Sequence, residues 1–407
     1  MTVCARNLLV VTSRYPFGSQ EAYLGTELEE LKQYFKRITV VPVRTPKAMR
    51  PHVVPEGIDV LSWPLFDPQI LSRALGAAAS APMQSLDAIF ALMTSHDPGK
   101  AKNAAVALKG LALGQWAREA GVDHIHAYWI STPATVAYIA SAVAGIPWSA
   151  TAHRWDIYEK NAFDVKARAA AFVRTISERG TRDLRARMPS LASRIREIRL
   201  GAIVPRAARS TIAMPRAALR IVCPAALVPV KGHEDLMQAV ALLRGEGIAV
   251  ECIFAGTGPL RAALEERAVT LCIEDAVEFA GHVPQHVLHR WYSSGNVDAV
   301  VLASRADGEM MMEGLPSALI ESMAYGIPTV ATDSGSISEL LDDDCGYLVR
   351  PGSPEMIAAA LRTVYRDPRG ARARSARAYE RVKRLHDVHV QMRMLASAFF
   401  SEEGVLA

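Results

Sequence analysis

Two carboxylates with seven residues between them, Glu313 and Glu321 in EGLPSALIESMAYGIPTVAT, are groups that could do chemistry. The strand-like run DAVVLAS ends at Ser304, a loop carrying Glu313, Gly314, Leu315 and Pro316 follows, and a helix is expected from Ser317, with that serine as its cap. A helix N-terminus behind a glycine-containing loop attracts an anion such as a diphosphate, because its unpaired amides carry partial positive charge. Glu313 then lies at the positive end of the helix, and Glu321 just over one turn inside it. An acid among Leu319, Ile320, Met323 and Ala324 needs a hydrogen-bonding partner. A pair of sugar hydroxyls would serve. So would a local cap or salt bridge, the commoner fate of a buried glutamate.

The elements that must position these acids read as a parallel sheet with crossover helices. LLVVTS, GTELEELKQYF and ITVVPV alternate strand and helix near the start, and DHIHAYW, IPWSATAH and AFVRTIS resume the strands. Between them, residues 64–118 are rich in Ala and Leu and read as helices packed on the sheet, with membrane-surface attachment as the minority alternative. GAIVPRAARSTIAMPRA has two prolines and no period, as a linker does. A second α/β series follows in LRIVCPAAL, VECIFAG, AVEFAG, DAVVLAS, IPTVAT and GYLVR. The expected domains are 1–205 and 206–380, with a helix in 381–407 that packs back on the first domain. Doubly wound sheets bind ligands beyond the carboxyl ends of their strands, so two of them facing each other would make a cleft.

The long phrase around Glu313 and Glu321, followed by GSISELL, resembles the E-x7-E signature of retaining glycosyltransferases of family 4, which have the GT-B fold. YPFGSQEAYLGTELEEL, DHIHAYW, TAHRWDIY, VPVKGHEDLMQAV, FAGTGPLRAALE and VEFAGHVP agree with that family in order, and the combination looks most like its exopolysaccharide or colanic-acid type. The resemblance implies roles. Glu321 would hold the nucleotide ribose, Glu313 the donor sugar hydroxyls, and Lys231 the diphosphate leaving group. Gly314 and Leu315 would offer backbone amides, and Gly18 would let the N-terminal loop approach the donor. His153 would face the sugar, and His126 would line the acceptor side. It also implies front-face attack, with the leaving phosphate helping to deprotonate the acceptor, a UDP- or GDP-sugar as co-substrate, and no metal.

Three departures stand out. Where the family usually has an arginine before the lysine, in a segment like GRL, this chain has AAL with Ala226; the lost fork leaves Lys231 as a point charge, for which Arg305 is a candidate replacement. The loop RADGEMMMEG puts three methionines before Glu313, either as packing or as an apolar lid or acceptor contact. GSQ stands where many relatives have paired glycines.

Composition excludes several classes. The chain has 407 residues, is 50% apolar and 22% charged, and carries a formal charge of +4, so it suits about two folded domains and not a disordered chain. Cations cluster between Lys166 and Arg220, as a solvated face or a patch for anionic lipid or a polyanionic acceptor; a single aromatic, Phe172, lies among them, which argues against nucleic acid. Five scattered cysteines, no membrane-length apolar run and no signal-peptide pattern point to a reduced, cytoplasmic protein, peripheral to a membrane at most. GTGPL reads as a turn and not a dinucleotide fingerprint. Asp342, Asp343 and Asp344 read as an exposed turn, and His282, His286 and His289 as decoration of a helix start.

The expected function is transfer of a sugar from a nucleotide-sugar to a glycan or polyprenyl-linked acceptor in cell-surface polysaccharide assembly. Its rivals are a sugar-nucleotide epimerase or phosphorylase of the same fold, and a non-catalytic scaffold, which Ala226 keeps open.

Overall fold

The computed structural model describes residues 4–17, 21–46, 54–65, 67–95, 97–159, 161–207, 217–306 and 312–400. Gly18, Arg209 of the basic run, and Met310 and Met311 of the RADGEMMMEG loop lie outside the described residues. The chain divides into two compact units, one of Met1–Gly201 with His389–Ala407 and one of Ala202–Val388. The boundaries thus fall at 201/202 and 388/389, where the sequence suggested 205/206 and 380/381.

The first unit holds seven parallel strands: β1 (Cys4–Thr12), β2 (Phe35–Pro42), β3 (Ile58–Val60), β4 (His124–Tyr128), β5 (Trp148–Ala152), β6 (Val173–Thr175) and β7 (Ile195–Glu197). Their order is β3-β2-β1-β4-β5-β6-β7. Helices cover both faces, so the central strands are apolar on both sides: Leu8, Leu9, Val10 and Val11 of β1 are at most 1% exposed. The order reverses between β1 and β4, which puts the loops after β1, β4 and β5 at the switch point where such folds bind ligands.

The Ala-rich segment folds as helices Pro68–Ser80, Pro82–Thr94 and Lys100–Glu119. Small residues are required there. A Cβ on Gly110 would stand 2.8 Å from Ile139 Cβ, and one on Gly114 2.7 Å from Val143 Cβ, so two glycines let the third helix press onto helix Thr132–Ala144. The buried Lys109 of that helix donates to Pro42 O at 2.6 Å, Val43 O at 3.2 Å and Trp63 O at 2.6 Å, and burial pushes its pKa down to about 8.

Much of the basic run is spent internally. Arg174 is fully buried, forks onto Glu27 at 2.8 and 2.7 Å, and also donates to Ile198 O and Arg199 O; Tyr128 Oη gives Glu27 a further bond at 2.9 Å. Arg185 and Arg194 donate to main-chain carbonyls, Arg187 to Ile157 O and Asp164, and Arg199 lies 2.7 Å from Glu197. The terminal helix, Val388–Phe400, closes the unit: Phe399 lies against Phe35, His124, His126 and Phe172.

The second unit has six parallel strands, β8 (Leu219–Cys223), β9 (Val250–Phe254), β10 (Val277–Phe279), β11 (Ala299–Leu302), β12 (Thr329–Thr332) and β13 (Tyr347–Val349), in the order β10-β9-β8-β11-β12-β13. Its switch point lies between β8 and β11. The glycines of GTGPL serve packing: a Cβ on Gly256 would stand 1.9 Å from Ala225 O, and one on Gly258 2.3 Å from Leu227 O. Asp342 organises a turn, accepting from Asp344 N and Cys345 N. Among the described residues, no helix is long and apolar enough to cross a membrane.

Candidate active site

The second unit gathers its polar groups where β8 and β11 end. After β8 the chain turns through Pro229–Lys231 to Gly232, at φ +60°. A Cβ there would fall 1.9 Å from Ala303 O, so only glycine lets the two loops meet. That contact carries Lys231 to the loop after β11, where its ammonium lies 2.5 Å from Glu313 Oε2. Ser304 Oγ donates to the same oxygen at 2.9 Å. Glu313 N donates to Ser334 Oγ at 3.1 Å, and Ser334 Oγ donates to Arg305 O at 2.6 Å, which fixes the loop on both sides.

Gly314 and Leu315 lead into helix Ser317–Ala324. Pro316, not Ser317, occupies the N-cap position, and no side chain caps it. Proline follows its own φ preference here and Ser317 becomes the first helical residue; Leu319 N donates to Pro316 O at 3.1 Å, which leaves the amides before it to a ligand or water. One turn on, Glu321 has its side chain 12% exposed. It accepts from Gln285 Nε2 at 3.0 Å and lies 3.3 Å from His289 Nε2. The local partner allowed for above is therefore present, and His289 is more than decoration. Gln285 and His289, four apart on helix Gln285–Ser293, share a face, a signal that could have linked them to a common partner.

Ala226 is exposed, with no charge in its place. Arg305 N donates to Val230 O at 2.8 Å, which sets this arginine beside the Lys231 turn, and its guanidinium lies 3.5 Å from Glu234 and Asp235. His233, buried against Phe254, has its pKa pushed down to about 4 by burial and by Lys231.

The first unit builds its own constellation on the loops after β1, β4 and β5. Glu21, 4% exposed, accepts from Ser13 N at 3.2 Å, Arg14 N at 2.6 Å and Tyr15 N at 2.7 Å, and from Trp129 Nε1 at 2.7 Å. Three successive amides make a nest suited to an anion, and here the chain fills it with its own carboxylate. Trp129 takes φ 91°, a strained value for a bulky residue, and stacks on His153 with ring centroids 4.0 Å apart. His153 Nε2 lies 2.8 Å from Tyr23 Oη, and His153 N donates to Asp156 Oδ1 at 2.6 Å. Burial, and then Arg174, push the His153 pKa down to about 3, so the ring is neutral. Glu21, Tyr23 and Trp129 escaped the sequence reading because only the folded loop brings them together.

His126 requires a correction. It is the middle residue of β4, 0% exposed, with Nδ1 2.8 Å from Ser149 Oγ and Nε2 2.9 Å from Thr151 Oγ1. Both ring nitrogens are satisfied inside the core, so it lines no acceptor surface.

Residues 211–381 match the family described as Glycosyl transferases group 1. That match takes in most of the second unit. The chain is 33% identical over 144 residues to the amylovoran biosynthesis glycosyltransferase AmsK of Erwinia amylovora, covering 35% of each. It is 34% identical over 164 residues to the putative colanic acid biosynthesis glycosyltransferase WcaL of Escherichia coli, covering 40% of this chain and 39% of that one. The matches thus span about two-fifths of those relatives or less. A structure of Anabaena HepE in complex with UDP and glucose superposes with a TM-score of 0.72 at 19% identity, over 97% of this chain and 99% of that one. The fold is GT-B, with two Rossmann-like domains. Within the matched residues, Lys231, Glu313, Gly314, Leu315 and Glu321 all lie on the switch-point loops and the helix behind them.

Proposed function

We propose that the protein is a retaining glycosyltransferase that moves a sugar from a UDP- or GDP-sugar to a glycan or polyprenyl-linked acceptor during cell-surface polysaccharide assembly. The observation that carries this reading is the helix Ser317–Ala324, whose uncapped start is flanked by Lys231 and Glu313 and whose second turn presents Glu321. Ribose hydroxyls would donate to Glu321, in competition with Gln285 and His289. The diphosphate would take the helix start, the Gly314 and Leu315 amides and Lys231, with Arg305 adding the charge that Ala226 lacks. Glu313, displaced from Lys231, would accept from hydroxyls of the donor sugar, and neutral His153 would serve that sugar as a hydrogen-bonding group.

In the reaction, the bond between the anomeric carbon and the diphosphate oxygen breaks, the acceptor oxygen bonds to that carbon on the same face, and the acceptor proton passes to the leaving phosphate. Charge builds on the phosphate, where Lys231 and the helix amides are aimed. In this reading no metal is needed, and the work is done on the cytoplasmic side of a membrane, in exopolysaccharide or lipopolysaccharide assembly.

The test is a thermal-shift panel of UDP, GDP, ADP and CMP on the wild type and on Glu321→Ala. Ligand at ~100 times its dissociation constant adds about 2.7 kcal/mol to the state that binds it. One nucleotide should stabilise the wild type and not the variant. Indifference to all four would leave a scaffold as the better account.

A further inference from the structure

Helices Pro68–Ser80 and Pro82–Thr94 turn small residues inward and large ones outward. Ile70, Ala74 and Ala77 of the first and Ser85, Ala88 and Leu92 of the second are buried. Leu71, Leu75, Met83, Leu86 and Phe90 are 54%, 64%, 64%, 64% and 69% exposed. Leu71 with Leu75 and Leu86 with Phe90 are each four apart, so each helix carries one outward apolar stripe. A water-facing helix side is normally charged. Between Gln69 and Thr94 only Arg73 and Asp87 ionise, and Arg73 is held by Glu119 at 2.6 Å and by the face of Trp63.

We propose that this hairpin face seats the protein on a lipid bilayer, with Leu71, Leu75, Met83, Leu86 and Phe90 sunk to the headgroup boundary. The inference rests on the reading of a membrane-side acceptor given above. Two observations favour lipid over a second protein. A stable protein interface takes about 800 Å² from each partner and surrounds its apolar centre with a polar rim; five side chains on two short helices fall short of that area. The cations that border the hairpin, Lys100 at the start of the next helix and Arg118, bonded to Ser80 Oγ at 2.9 Å, are the kind that headgroup phosphates pair with. The basic run is the obvious rival anchor, but Arg174, Arg185, Arg187, Arg194 and Arg199 are committed within the unit. Attachment is therefore apolar first and electrostatic second.

The experiment is flotation of the full chain with phosphatidylcholine vesicles, at ionic strengths of about 0.1 and 1 M, where the Debye length falls from about 10 to about 3 Å. The wild type should float on neutral vesicles at both. Leu86→Ser with Phe90→Ser should lower the bound fraction about tenfold or more, since each side chain contributes its own transfer free energy, whereas Arg182→Ala should leave it unchanged. Leu71→Gln with Leu75→Gln supplies the same comparison on the other helix if the first pair impairs folding. Three results would overturn the proposal: no flotation, binding only to anionic vesicles with release by salt, or a wild-type dimer that the double variant turns into a monomer without any vesicle binding. The nucleotide panel keeps the two readings apart. Nucleotide stabilisation without flotation removes the hairpin inference and leaves the transferase; flotation without nucleotide stabilisation does the reverse.

Discussion

The ammonium of Lys231 lies 2.5 Å from Glu313 Oε2, so the cation and the acid at this helix start neutralise each other. In the proposed reaction a diphosphate would take Lys231 from Glu313 and free the carboxylate for the sugar.

The competition has a signature in the variants. Glu313→Gln removes the rival for Lys231 and should bind nucleotide at least as tightly as the wild type, while turnover falls about 100-fold or more for want of the sugar contact. Lys231→Ala should lose both nucleotide affinity and turnover. Calorimetric titration beside an initial-rate assay separates them, and weaker nucleotide binding by Glu313→Gln would contradict the competition.

Gly232 should not tolerate a side chain. At φ +60°, with Ala303 O 1.9 Å from the place of a Cβ, Gly232→Ala must push apart the loops after β8 and β11. The expected loss is about 1–3 kcal/mol, as for an overpacked core, read as a lower urea midpoint with unchanged slope. A wild-type midpoint would mean that the loops are not in contact.

Acid should weaken the first unit through its buried histidines. Burial, then Arg6, push the His124 pKa down to about 3, and burial holds His126 well below 6.5. The folded state therefore binds fewer protons than the unfolded chain below pH 6.5, and stability present above that pH is lost as pH falls towards 3. At pH 5 the cost is about 2 kcal/mol for His124. Asp156, raised to about 8 by burial, has the opposite sign between pH 8 and 4, so the useful comparison is wild type against His126→Gln. The variant should show the shallower fall in melting temperature between pH 7 and 5; parallel curves would refute the assignment.

Glu21 is a positioning residue in the first unit. Glu21→Gln offers a donor where three amides and an indole need an acceptor, and it should loosen Trp129 and with it the stack on His153. About a tenfold loss in kcat is expected, with UDP or GDP binding unchanged, since the nucleotide contacts proposed above lie in the other unit. Loss of nucleotide binding as well would indicate general misfolding.

The sequence made the architecture legible where buried strands speak for themselves. LLVV and AVVLA are apolar throughout because helices cover both faces, and Lys231, Glu313 and Glu321 fall in loops and a helix whose order follows from that. His126 misled because its role was taken from the resemblance, whereas it is the middle residue of β4 and Ser149 and Thr151 of β5 satisfy the ring from the next strand. Neither partner is near it in the chain. Glu321 held by Gln285 and His289, and Glu21 filling the nest at 13–15, are likewise facts of tertiary proximity. The arginines of 166–220 looked like a surface charge because sequence cannot show that Arg174 lies buried on Glu27.

The first unit is discontinuous: its sheet ends at Glu197, but Phe399 is part of the packing around Phe35, His124, His126 and Phe172. A ribosome makes that phenylalanine only after the whole of the second unit. The nascent first unit must therefore wait with an aromatic pocket open while its neighbour folds, although domains made first usually fold first. A stop codon just beyond Val388 would spare every group at the glycosyl transferase switch point and still leave the other unit unfinished.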